Sequence, residues 1–262
     1  MKKHRWFAAL AVMVMALAVA GCSDGSSGNE FATGSLGGSG NSSGSGVDNP
    51  VSQQPDYSNC VVGDFVLKDG TMLPKDITLT DTQKSNVAAV IVRAAADGKP
   101  ALGVGIVHNQ SGLQWCTKSA AGYETDISAL VGDKASGYTD GSDGWKILKE
   151  ACSDAESKPE NYPAWNYSLT YAETNGLTGD LAEGWYLPTV AELDTIYQNK
   201  AVVNASLKKA GRSQFGTSYY WSCCQGLSYD YLARVLSFLD GDMTTHTKDS
   251  NISYVCIVRA FN

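Results

Sequence analysis

Residues 23–57, SDGSSGNEFATGSLGGSGNSSGSGVDNPVSQQPDY, limit what this chain can fold into. The tract is dominated by Gly, Ser and Asn, and such a segment cannot bury enough apolar surface to offset its backbone entropy. It is expected to be a flexible tether. About 35 residues of this kind reach on the order of 30–35 Å, at roughly 5–6 Å times the square root of the residue number. Nearly all Trp, Tyr and Phe fall in the roughly 205 residues from Tyr57 to Asn262, enough for one sizeable domain with a core.

The tether follows an export signal. Lys2, Lys3, His4 and Arg5 precede an apolar run from Trp6 to Ala20, too short for the roughly 20 residues of a membrane-spanning helix. Val19-Ala20-Gly21-Cys22 has the form of a bacterial lipobox, which makes residues 1–21 a removable signal and Cys22 the lipidated residue. An ordinary secretory signal with a chance cysteine is the alternative. Removing Lys2, Lys3 and Arg5 takes the formal charge from −7 to −10. A chain this acidic is repelled by phosphate backbones, so no nucleic-acid partner is expected. Membrane attachment is expected through the lipid anchor alone, on a cell-surface, outer-membrane lipoprotein that is a monomer.

Within residues 58–262, β-branched runs at 87–107 flank Asp97-Gly98-Lys99-Pro100 and read as strand, turn, strand, after a short strand within 63–70. Residues 144–152 and 187–211 have helical spacing. In the second, Thr189 and Glu192 form a capping box, and Gly211 is a stop. The aromatic- and Asn-rich region between them reads as ordered loop. Residues 219–224, 232–239 and 253–261 read as strands, with Asp240-Gly241-Asp242-Met243 as a hairpin turn. Strands, two helices, then strands predict an α+β fold with an antiparallel sheet.

Catalytic and metal chemistries find little footing. There is no C-x-x-C or H-x₃₋₅-H, neither His108 nor His246 sits in a recognisable nucleophile frame such as G-x-S-x-G, and no glycine-rich phosphate loop opens a helix. His108 reads as a loop residue. No catalytic residue, metal or cofactor is expected. The six cysteines after Cys22 are irregularly spaced, and no pairing among Cys60, Cys116, Cys152 and Cys256 follows from them. The adjacent Cys223 and Cys224 are poorly placed to bridge each other, and on a strand their side chains point to opposite faces.

The C-terminal half carries a motif series: GWYLPTVAEL at 184–193, YYWS at 219–222, ARVLSFLDG at 233–241 and YVCIVRAF at 254–261. In its motifs and their order this series resembles bacterial C-type-lectin-like domains related to formylglycine-generating enzyme, in particular those whose genes are rewritten by diversity-generating retroelements. The resemblance implies a fixed scaffold carrying a variable ligand-binding region at about 219–262. Adenine-directed rewriting of Asn codons cannot produce Trp, Met, Gln, Lys or Glu. None of these five occurs from Gly226 to Asp242, and Gln225 and Met243 bound the stretch. Cys223 and Cys224 stand where relatives carry serines, as products of rewriting would. The Glu-Pro-Asn, Gln-Pro-Asp and Trp-Asn-Asp motifs of calcium-dependent lectins are missing, as is the enzyme's cysteine pair. Neither calcium-dependent sugar binding nor oxidase activity is therefore implied.

Alternation on 232–239 assigns Leu236 and Phe238 to the core and turns Val235, Ser237 and Leu239 outward. The expected ligand-binding face comprises Cys223, Cys224, Gly226, Ser228, Tyr229, Asp230, Tyr231, Leu232, Val235, Ser237, Leu239, Asp240, Asp242, Thr245 and His246. Its expected partner is a protein or glycan on another cell or host surface. A fixed-sequence adhesin or lectin, or an oxidase like formylglycine-generating enzyme, are the alternatives.

Overall fold

The structure, a computed structural model, describes residues 55–262. The signal, Cys22 and nearly all of the tether lie outside them. In chain order the strands are β1 (Phe65–Leu67), β2 (Met72–Leu73), β3 (Val87–Arg93), β4 (Ala101–Gly105), β5 (Trp185–Tyr186), β6 (Tyr219–Gln225), β7 (Leu232–Ser237), β8 (Met243–Thr247) and β9 (Val258–Phe261). The α-helices are α1 (Asp81–Asn86), α2 (Gly144–Ala151), α3 (Pro163–Leu169), α4 (Tyr171–Thr174), α5 (Val190–Gln198) and α6 (Lys200–Lys209).

Two antiparallel sheets result. The larger has the order β2-β1-β3-β4-β9-β5 and the smaller β6-β7-β8. The hydrophobic run at 87–92 becomes β3, buried along almost its whole length. β9 enters the larger sheet between β4 and β5, so it does not extend the sheet of β6 and β7. Phe261 lies over Gly103, where an added Cβ would stand 2.6 Å from the Phe261 ring. Tyr57, at the expected end of the tether, packs on that ring at 5.0 Å and belongs to the core.

Helix α5 touches β3 of the larger sheet and β6 and β7 of the smaller, and so joins the two. Its start is the expected capping box: Thr189 Oγ1 accepts from Glu192 N, and the Glu192 carboxylate accepts from Thr189 N at 2.8 Å. The helix expected over 187–211 is divided at Asn199 (φ −100°, ψ 8°), whose side-chain amide donates to the carbonyls of Thr195 and Val92. Gly211 ends α6 as expected, at φ 69°.

The region expected to be loop between the two helices contains α3 and α4. Pro163 sits at the first turn of α3, where its missing N–H costs nothing, and Ala164, Trp165, Ser168, Tyr171 and Ala172 face the core at helical spacing. Trp165 meets Trp115 edge-on at 5.2 Å, and both are fully buried. The architecture is thus mixed α and β with antiparallel sheets, and it has more helices than the two expected.

Candidate functional site

β7 is the frame of the candidate face, and it is covered on both sides. Leu236 and Phe238 face the core as expected, and Phe238 packs against Phe215, Tyr220 and Tyr197. Val235 and Ser237 were expected to face outward but are buried too. Val235 lies directly opposite Trp221 on β6, and the Trp221 indole is covered by the segment around Leu113, donating to Leu113 O at 2.7 Å. Ser237 is tucked into the turn to β8. Its N–H donates to Asp242 O, and its Oγ accepts from Leu239 N.

Cys223 and Cys224 are also fully buried, which corrects their assignment to the face. Simple alternation fails because β6 is bulged. Trp221 pairs with Val235 and Gln225 with Ala233, so the three residues 222–224 oppose Arg234 alone. Within the bulge, Cys223 N donates to Pro188 O just before α5, and Cys224 Sγ lies 3.7 Å from Tyr138 O. Burial pushes the Cys223 thiol well above its usual value, which keeps it protonated and unreactive. Gly226 is a further correction. It is buried, and an added Cβ would stand 3.0 Å from Leu232 Cβ and 3.2 Å from Thr245 Cγ2.

The remaining positions stay near solvent. In the loop 226–232, Leu227 is 70% exposed and Tyr229 58% exposed, beside exposed Ser228 and Asp230. Tyr231 and Leu232 are half-buried. Tyr229 stacks on Tyr231 at 5.3 Å, and Tyr231 stacks on Tyr123 at 6.4 Å. Tyr123 OH in turn donates to Asp249 at 3.3 Å. At the β7–β8 turn Leu239 is 66% exposed next to exposed Asp240 and Asp242, and Asp240 accepts from Asp242 N. On β8, Thr245 and His246 are half-buried. His246 Nδ1 lies 2.8 Å from Ser253 Oγ, and its ring is edge-on to Tyr219 at 4.9 Å. Burial lowers the His246 pKa, which favours neutral imidazole at neutral pH.

Several residues that shape this face carry no sequence signal. Strand β8 reads as polar loop, yet it forms the edge of the smaller sheet. Lys248, just past it, is fully buried. Its Nζ donates to Gly122 O at 2.6 Å and lies 3.4 Å from Gln225 Oε1, with the Trp115 ring 4.7 Å away. Together with Lys248 N bonding Tyr231 O, these contacts tie the loop 226–232, the end of β6 and the segment around Gly122 into one unit. Burial brings the Lys248 pKa down to about 8.

Glu192, the buried carboxylate nearest the cysteines, is held by Tyr186 OH, Thr189 N and Gly141 N, a complete set of structural partners. Among the described residues no three His, Cys, Asp or Glu side chains are placed to hold a metal ion, and no helix is long and apolar enough to cross a membrane.

No family model and no curated protein matches the chain. Among solved structures it is similar to a fimbrial protein from Bacteroides ovatus, with a TM-score of 0.57 at 11% identity over 77% of this chain. The match covers 49% of that protein, so this chain spans about half its length. At this identity the likeness is one of fold.

Proposed function

We propose that the chain is a surface-displayed binding protein whose ligand contacts come from the exposed loop 227–232, the β7–β8 turn at Leu239, Asp240 and Asp242, and Thr245 and His246 on β8. The observation that carries this reading is the abrupt change from buried frame to exposed aromatic and aliphatic side chains. Strands β6 and β7 are almost wholly inside, yet Leu227, Tyr229 and Leu239 stand in solvent directly beside them. Stacked tyrosines offer large contact area at low entropic cost, as in antibody loops. The fold shared with a fimbrial protein is in keeping with display on a cell surface.

The C-terminal motif series supports a finer assignment, to a C-type-lectin-like domain diversified by a retroelement, as in the treponemal variable protein. The lipobox supports anchoring through Cys22, with the tether holding the domain clear of the membrane. In this reading the protein is a monomer with no catalytic role, and its ligand is a protein or glycan on another surface. Cys223, Cys224, Gly226, Val235 and Ser237 belong to the scaffold.

Sequencing the gene from many isolates tests the assignment. Substitutions should concentrate at 227–232, 239, 240, 242, 245 and 246 and spare 223, 224, 226, 235 and 237. An invariant face would point to an adhesin of fixed specificity, and changes scattered over the whole domain would refute a dedicated face.

A further inference from the structure

A cleft of about 230 Å³ opens beside β3 and β4, built from elements that take no part in the loop 227–232. Its charged lining residues are Lys68, which follows β1, and Arg212, which follows α6 and the Gly211 stop. Tyr171, Thr174 and Asn175 from the α4 segment complete its polar wall. No carboxylate lines it, and Glu173, the acid between Tyr171 and Thr174, is exposed to solvent. In a chain of formal charge −7, two cations facing one cleft without an acid is a local reversal of sign.

Among the described residues, none neutralises either cation. Neither Lys68 nor Arg212 takes part in a salt bridge there. Arg212 Nε is buried with no hydrogen-bond partner there, an arrangement that costs free energy unless something else accepts the bond. Lys68 Nζ donates to Asn175 O at 2.6 Å, which holds the ammonium beside another lining residue and leaves two of its three N–H groups available. The Tyr171 hydroxyl accepts from Val107 N at 3.3 Å, leaving its own proton to donate. Tyr171 reaches this position only because residue 105 is glycine, since a Cβ there would collide with the phenol oxygen.

The site therefore presents a guanidinium, an ammonium and a phenol O–H, with no acidic acceptor of its own. A guanidinium matches the oxygens of carboxylate, phosphate or sulfate with paired donors, and a low-dielectric cleft strengthens that attraction. The volume is below the roughly 300–1,000 Å³ of sites for drug-sized ligands, so the occupant is small. We propose that the cleft between Lys68, Tyr171 and Arg212 is a binding site for a small oxyanion, either free or as the terminal group of a larger ligand. This goes beyond the surface-binding reading and does not depend on it.

The test is equilibrium dialysis of the full chain against radiolabelled inorganic phosphate at constant ionic strength in chloride buffer, with sulfate and acetate as competitors. One saturable site per chain is expected, displaced by at least one competitor. K68Q and R212Q should each weaken it by about tenfold or more, the effect of losing a hydrogen bond to a charged group. K158Q, which removes an equal charge from exposed surface elsewhere, should leave it unchanged. Circular dichroism of each variant confirms that the fold is kept. The proposal is overturned if the parent chain shows no saturable uptake, if uptake survives both cleft substitutions, or if K158Q weakens it equally.

Discussion

Lys248 offers a quantitative test of how the candidate face is held. Its ammonium is enclosed by Gly122 O, Gln225 Oε1 and the Trp115 ring, with no carboxylate in direct contact. Burial therefore disfavours the charged form, and the pKa falls from 10.5 to about 8. A fall of that size corresponds to about 3 kcal/mol between the protonation states. In the unfolded chain Lys248 still binds its proton up to its ordinary pKa, so between pH 8 and 10.5 the unfolded state holds more protons than the folded one. Stability from this residue must then rise with pH across that window and be flat below it. The tyrosines raised by burial, Tyr186 and Tyr220 among them, act in the opposite sense at high pH, so the comparison needs a variant that keeps them. Urea unfolding of the parent and of Lys248→Met, followed by tryptophan fluorescence from neutral pH to above 10.5, isolates the lysine. The parent should gain about 3 kcal/mol relative to the variant over the window, whichever is more stable at neutral pH. A difference that stays constant, or that moves against the parent, would refute the account of a buried, unpaired ammonium.

Three further outcomes follow from burial and contacts. Tyr229→Ala should leave urea stability within about 0.5 kcal/mol, as is usual for exposed positions, while weakening ligand capture by about 1–2 kcal/mol, measured by surface plasmon resonance once a ligand is identified. Gly226→Val should destabilise by about 1–3 kcal/mol in the same unfolding assay, because the added side chain meets Leu232 and Thr245, and a neutral result would return position 226 to the variable set. Thr189→Ala removes the cap of α5, in which Thr189 Oγ1 accepts from Glu192 N, and the hydroxyl's bond to the buried Glu192 carboxylate, and calorimetry should show a loss of about 1–2 kcal/mol.

What the sequence revealed, and what it hid, divides along a physical line. Features set by neighbouring residues were legible: the turn at 97–100, the Thr189–Glu192 capping box and the Gly211 stop each place one backbone group against another a few residues away. Features set by distant chain were not. Period-two alternation turned Val235 and Ser237 outward because it assumes one wet face, but Val235 lies against Trp221, which distant Leu113 covers, and Ser237 is enclosed by the β7–β8 turn folding back on it, which alternation does not register. The same assumption put Cys223 and Cys224 on opposite sides of a regular strand, whereas the bulge opposite Arg234 carries both inside, towards Pro188 and Tyr138. Helix α3 was hidden by poor helix formers, although Pro163 at its first turn and the spacing of Ala164, Trp165 and Ser168 marked it. The consequence for function is a smaller face. A scaffold that buries both sides of β7 can tolerate free substitution only where the chain leaves the sheet, at 227–232 and around Leu239, or at the outer edge along β8. The proposed variable face is therefore confined to loops and an edge strand, with the central strands held constant by the packing they share.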